Sequence, residues 1–399
     1  MEPSRRIDLL AGDFYGKVAR DAHAWMRGHA PVYFDETNGL WGIATYDGVL
    51  AAGRDPVTFS NAGGSRPDTG PLPWMIDMDA PDHLKRRKLV NRGFTPGRVR
   101  AGGEGVRAIC NELIDRVCEQ GECDLVKDLA APLPMIVIGD MLGVPPEDRD
   151  DLLRWSDDML GSLSGDPERI EAAAVAFGAY TEYARRTIAA RRQQPTDDLV
   201  SVLVQAEIDG DRLDDDELVF EILLLLVGGD ETTRHVISGG MEQLLRNPGE
   251  MQKLLDDPGL AEPAVEEMLR WVTPIKNMHR TITRDVELSG RRLRAGDKAL
   301  LLYESANFDE SHFDAPERFD IRRSPNDHLA FGFGPHFCLG ASLARLEVRA
   351  MLERVVQRLP DLELATDDPL SSFLSGAETM PVRFTPAPPV GTGSGRTLG

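Results

Sequence analysis

The stretch from Asp214 to Arg246 most constrains what this chain can fold into. It is the longest helical pattern in the sequence. Asp214, Asp215 and Asp216 stand at its start, where negative charge suits the helix dipole. The run Ile222 to Val227 is aliphatic throughout, so a helix there must be surrounded by protein on all sides. It is too short to span a bilayer and so specifies the middle of a large helical fold. Gly228, Gly229, Asp230, Glu231, Thr232 and Thr233 follow at once. Each glycine costs about 1 kcal/mol against alanine inside a helix. Carboxylates beside a buried run are expensive unless partnered. From the residues alone, either the helix ends at the glycines and restarts, or it continues and the glycines and acids have a task.

A second stretch, Phe331 to Glu347, reads F-G-F-G-P-H-F-C-L-G-A-S-L-A-R-L-E. Gly332, Gly334 and Pro335 forbid a regular element and predict a tight loop. Cys338 ends that loop, and Gly340 lets the backbone pass close to something flat. Ala341 to Glu347 reads as the first turns of a helix. A sulfur there lies near a helix N-terminus and backbone N–H groups. Both favour the thiolate, the form that binds metal. A lone cysteine so placed is either a buried thiol or a ligand.

The chain has 399 residues, with a hydrophobic fraction of 41% and a charged fraction of 28%, as in globular proteins. Its net charge of −21 argues against a general nucleic-acid binder. The four cysteines, Cys110, Cys118, Cys123 and Cys338, make no disulfide framework and fit a reducing cytoplasm. Met1 to Leu10 shows no secretory signal, and no membrane span is expected.

Helical patterning around Phe14 to His29 precedes two strand-like runs, Val32–Phe34 and Leu40–Ala44. Residues 61–75 are rich in Gly and Pro and read as a loop. Trp74, Met75 and Ile76 at its end are tucked into the core or line a pocket. His83, Lys85, Arg86, Arg87, Lys88 and Arg92 concentrate positive charge in an acidic protein. His83 and Arg87 are four apart and share a helix face, where they could hold an anion or simply face solvent. Leu125 to Leu142 reads as core, interrupted by Pro132 and Pro134. Ser156–Gly165 and Ala172–Tyr183 read as two helices with a Gly/Ser/Pro hinge between them. Glu267 and Arg270 can pair on one helix face, although E-x-x-R alone is a weak signal. The residues after residue 385 have a disordered composition.

The full pattern F-G-x-G-x-H-x-C-x-G-x-x-L-A-R resembles the haem-thiolate loop of the cytochrome P-450 family. That resemblance implies haem b (iron protoporphyrin IX) with Cys338 as axial ligand, and Phe331, Gly340 and Gly228 beside it. Other motifs match in the family's order. His83 and Arg87 match H-x-x-x-R, and with Arg280 and His336 they are implied to bind the haem propionates. G-G-x-E-T assigns Glu231 and Thr232 as the acid–alcohol pair that delivers protons to bound O₂. Arg318 of P-E-R-F joins Glu267 and Arg270 in a structural brace. Trp74, Met75, Ile76, Val227, Thr273, Ile275, Phe373 and Leu374 are implied to line the substrate pocket, and the helix pair around the hinge to form its lid. The implied fold is mainly α with small β-sheets, the triangular prism of that family, as one domain over 1–385 with a disordered tail over 386–399.

The implied activity is insertion of one oxygen of O₂ into an unactivated C–H bond of an apolar substrate, since a thiolate ligand favours O–O cleavage. No flavin or nicotinamide fingerprint is fused to the chain, so electrons are expected from a ferredoxin-type donor and its reductase. W-M-I-D-M-D-A-P-D-H-L-K-R-R-K-L-V-N-R-G-F and A-A-P-L-P-M-I-V-I-G-D-M-L-G-V-P-P-E-D-R-D resemble members that oxidise the terminal methyl of the cholesterol or cholestenone side chain. A fatty acid or terpenoid is the alternative substrate. A haem sensor or carrier, or a peroxide-driven haem enzyme, is the alternative class. The Glu231–Thr232 pair favours the monooxygenase over both.

Overall fold

The computed structural model describes residues 6–11, 14–161, 166–207, 210, 212–366 and 377–391. They form two compact units. One comprises residues 1–84, 269–319 and 324–338; the other comprises 85–268, 320–323 and 339–399.

The first unit is built on a five-stranded sheet in the order Val32–Asp35, Leu40–Ile43, Lys298–Leu301, Met278–Ile282, Phe59–Ser60. All pairings are antiparallel except that of Leu40–Ile43 with Lys298–Leu301. Strand alternation splits the apolar residues between two faces. Val32, Ile43, Ile282, Ala299 and Leu301 join one core with Tyr46, Val49 and Tyr303. Leu40, Leu300 and Leu302 join another with Leu9, Met26 and the helix Ala19–His29. Both expected strands are thus present. The expected helix begins at Ala19, after a wide turn at Phe14–Val18. Asp35 fixes the hairpin by accepting from the backbone N–H of Leu9, Thr37 and Asn38.

The second unit is helical around Asp215–Arg246. That helix packs against Pro132–Leu142, Pro167–Gln193 and Ala341–Arg358, as its apolar run requires. Asp214 caps it, accepting from Glu217 N at 2.8 Å while the Glu217 carboxylate accepts from Asp214 N at 3.0 Å. The helix does not end at Gly228-Gly229. A Cβ on Gly229 would stand 3.1 Å from Ile138, so the small residue admits the neighbouring helix. Pro132 and Pro134 occupy the first turn of a helix and do not interrupt it; their missing N–H groups lie where no intrahelical partner exists. The expected lid helices are Arg149–Gly161 and Pro167–Gln193, and hinge residues 162–165 lie outside the described residues. A small sheet of Glu122–Asp124, Pro381–Arg383 and Glu363–Leu364 completes the unit. The segment expected to be a disordered tail starts as ordered chain. Ala387 N donates to Cys118 O, and Val390 N and Gly391 N donate to the Asp115 carboxylate.

Candidate functional site

In the first unit the cysteine loop is tight, as the glycines predict. Gly332 and Gly334 take φ of 67° and 78°. A Cβ on Gly334 would also lie 2.1 Å from Gly53 O, so only glycine fits. Cys338 N donates to Phe331 O at 2.9 Å and closes the loop. The thiol is half-buried, and the helix Ala341–Arg358 begins three residues later. Phe333 and Phe337 lie on the same loop and are unusually exposed for aromatic residues. His336 stacks on His83 with ring centroids 3.9 Å apart. Arg280 is 4% exposed and donates to His279 O.

Nearby in the sequence fold, Met75 is buried while Trp74 and Ile76 are half-buried at the end of the 61–77 loop. Ile275 is also half-buried. Thr273 departs from the expectation of a pocket wall. It has no accessible surface, sits at φ 41°, and donates its hydroxyl to Arg270 O while accepting from Asn307 Nδ2. Its hydroxyl holds an unusual backbone turn and is consumed by that role. Phe373 and Leu374 lie outside the described residues.

In the second unit the middle of the long helix is opened on one side. Gly228 is exposed although its neighbours Leu225, Leu226 and Asp230 are buried, and a Cβ there would meet nothing within 4 Å. Val227 is half-buried on the same stretch. Thr232 donates its hydroxyl to Gly228 O at 2.8 Å. Glu231 is not a free acid. Arg234 binds both of its oxygens and also donates to Asp157 at 3.0 Å, and His235 Nε2 lies 3.0 Å from Glu231. Burial would raise the Glu231 pKa, but the His235 hydrogen bond and the Arg234 charge outweigh it and bring it down to about 2. The partners follow from the i+3 and i+4 spacing in E-T-T-R-H, a signal present in the sequence. Asp157, from the helix Arg149–Gly161, was not legible there.

Two residues expected in the brace have partners the sequence did not suggest. Glu267 accepts from Arg323 Nε and Asp320 N, each at 3.0 Å, while Arg270 is fully buried and donates to Asn307 O at 2.8 Å. Arg323 was missed because no spacing rule links it to Glu267. In the basic run, Lys85, Lys88 and Arg92 are exposed, but Arg86 is buried and paired with Glu217 and Glu221. Arg86 therefore does not belong to a solvent-facing basic patch.

The loop residues of the first unit fit a flat, largely apolar cofactor. A half-buried thiol on a loop with exposed phenylalanines suits one face of a macrocycle. Arg280 and the stacked histidines can supply charge and hydrogen bonds to anionic substituents.

A cysteine presented by a glycine loop before a helix is an arrangement that could supply a thiolate ligand to a metal group. The cytochrome P450 family model matches residues 259–378. The chain is 59% identical, over 96% of its length and 98% of the relative's, to a steroid C26-monooxygenase of Mycobacterium tuberculosis. It is 38% identical, over 96% of both chains, to a methyl-branched lipid omega-hydroxylase of Mycobacterium bovis. Among solved structures, CYP109E1 from Bacillus megaterium in complex with testosterone matches with a TM-score of 0.82 at 35% identity. That match covers 92% of this chain and 99% of the other. The chain belongs to the cytochrome P450 family, and it is a monooxygenase with haem as cofactor. Among the described residues no helix is long and apolar enough to cross a membrane.

Proposed function

We propose that this protein hydroxylates the terminal methyl of a sterol side chain, taking cholesterol or cholestenone as substrate. The 59% identity over nearly the whole chain to a steroid C26-monooxygenase carries this reading. The likeness to a testosterone-bound structure supports a steroid-sized apolar substrate. The 38% match to a methyl-branched lipid hydroxylase favours a second reading, in which the terminal methyl belongs to a branched lipid.

In this reading Cys338 ligates the iron and His83, Arg87, Arg280 and His336 hold the propionates. The bound haem activates O₂ for insertion into a C–H bond. Thr232 would supply a hydroxyl for bound oxygen, and Glu231 would exchange protons with that site. The ionised Glu231 is a base first: it takes up a proton and passes it on, with Arg234 and His235 orienting its carboxylate. Glu267, Arg270 and Arg318, with Arg323, brace the fold. Trp74, Met75, Ile76, Val227 and Ile275 face the substrate and exclude water. Electrons come from a separate ferredoxin and reductase in the cytoplasm.

The test is a substrate screen. Cholest-4-en-3-one should give the low-to-high spin shift of a substrate entering the haem pocket. With an electron donor it should yield the terminal alcohol. A shift with branched fatty acids and none with sterols would move the assignment to the second reading. Cys338→Ser should keep the fold and lose the thiolate-type spectrum of the reduced CO complex. Retention of that spectrum would remove Cys338 as the ligand.

A further inference from the structure

The loop 61–77 is organised around one carboxylate. Asp77 is 5% exposed and accepts three hydrogen bonds. Ser65 N donates to Oδ1 at 2.7 Å, Leu72 N donates to Oδ2 at 2.9 Å, and the Trp74 indole Nε1 donates to Oδ2 at 2.7 Å. A single side chain thus ties the beginning, the middle and the apolar end of a Gly/Pro-rich segment. Other anchors join the segment to its surroundings: Arg66 Nη1 donates to Asn277 O at 3.1 Å and Lys298 Nζ donates to Pro67 O at 2.7 Å. His279 N donates to Ser65 O at 3.0 Å, and Asn61 Nδ2 donates to Ile76 O at 3.0 Å. Gly64, at φ 100°, has space for no Cβ, because one would lie 2.8 Å from the Gly70 carbonyl. The loop is therefore folded back on itself, and Asp77 is the group that closes it.

We propose that Asp77 is a specificity-determining positioning residue. It fixes the plane of the Trp74 indole and presets the Trp74–Ile76 wall before substrate arrives. The proposal rests on the reading that this wall faces the substrate. Trp74 has a single polar atom, and the carboxylate that takes it also holds the backbone at Leu72 and Ser65. The ring cannot turn without breaking a charge-assisted bond in a buried setting. A fixed aromatic wall distinguishes a terminal methyl from the methylene beside it, because the reacting carbon must be held to within about 1 Å. A loose wall would admit several poses and several products. Asp77 touches no reacting atom and acts through Trp74.

The test compares Asp77→Asn with Asp35→Asn. The second variant removes a carboxylate with the same type of backbone contacts in the hairpin of the same unit, away from the loop. An amide at 77 has one acceptor oxygen and turns donors toward donors, so at least one of the three N–H groups loses its partner. Hydrogen exchange over residues 61–78 should accelerate in Asp77→Asn and not in Asp35→Asn. The ratio of terminal to internal hydroxylation should fall roughly three- to tenfold, a loss matching the net worth of one ordinary hydrogen bond. Trp74→Phe, which keeps a ring and deletes the indole N–H, should lower the ratio in the same direction. The double variant should be no worse than the poorer single one.

An unchanged ratio in Asp77→Asn, with a thermal midpoint lowered as in Asp35→Asn, would reduce Asp77 to a structural residue and overturn the proposal. Unchanged exchange over 61–78 would overturn it as well. If sterols gave no product, the substrate reading would fail by itself. The exchange measurement would still decide whether Asp77 closes the loop, and the ratio would be read on whichever branched lipid shifts the spin state.

Discussion

Thr232 and Glu231 are adjacent in sequence but differently held. The Thr232 hydroxyl spends its proton on Gly228 O, one turn back on the same helix. Glu231 is locked by Arg234 and His235. On the proposed relay the threonine is the group that orders the last step of proton delivery. Thr232→Ala removes that hydroxyl and barely changes the volume of the site. It should bind substrate with an unchanged spin shift and still consume O₂. Product formed per reduced nicotinamide should fall several-fold, with peroxide making up the difference. Coupling equal to wild type would pass the role to Thr233 or to a water. Glu231 and Thr232 stand out as candidates because their residue types sit beside two glycines in an otherwise apolar helix. The charge state of Glu231 depends on Arg234 and His235, whose spacing from it carries the signal. A carboxylate followed at i+3 by arginine and at i+4 by histidine is a salt-bridge pattern on any helix.

The long helix shows what element-level reasoning captures. Its length, acidic cap and apolar run were readable, and its continuity through Gly228-Gly229 follows once neighbours are known, since Ile138 fills the place of a side chain. What surrounds it was not readable. Asp230 is fully buried, with no protein partner for either carboxylate oxygen among the described residues. Glu347, on the helix Ala341–Arg358, has one such oxygen. Burial pushes both pKa values well up, and the negative charge of Asp230 adds to the effect on Glu347. A raised folded pKa means stability that is complete below the unfolded pKa and is lost as pH rises toward the folded one. Each carboxyl should therefore lower stability by about 1.4 kcal/mol per pH unit across that window. Asp230→Asn and Glu347→Gln keep the shape and remove the ionisable proton. Denaturant midpoints measured from pH 5 to pH 8 should decline less steeply in each variant than in wild type. Parallel curves would mean the two carboxyls titrate normally in the folded protein.

At the scale of the molecule the puzzle is how a protein of net charge −21 would receive an acidic electron donor. Overall repulsion is screened within about 10 Å at moderate salt, so a local basic patch can still govern the encounter. Outside the propionate assignment the sequence gathers four cations there, Lys85, Arg86, Lys88 and Arg92; the structure leaves three exposed. Arg86 is spent inside the second unit on Glu217 and Glu221, and its loss would destabilise the fold and confound any docking test. Lys85, Lys88 and Arg92 remain exposed along one short stretch. His83 and Arg87 are left out because they are assigned to the propionates. Lys85→Glu with Arg92→Glu changes the local charge by four and touches neither the proposed cofactor contacts nor the Arg86 pair. Reduction by a ferredoxin should slow by an order of magnitude or more at low ionic strength, since charge complementarity acts chiefly on the encounter rate. The deficit should shrink as salt is added, because screening weakens the wild-type advantage and the mutant repulsion together. The substrate-induced spin shift should be untouched, because that equilibrium does not involve the donor. Equal reduction rates at low salt would place the docking face elsewhere and return Lys85, Lys88 and Arg92 to the role of solvated side chains.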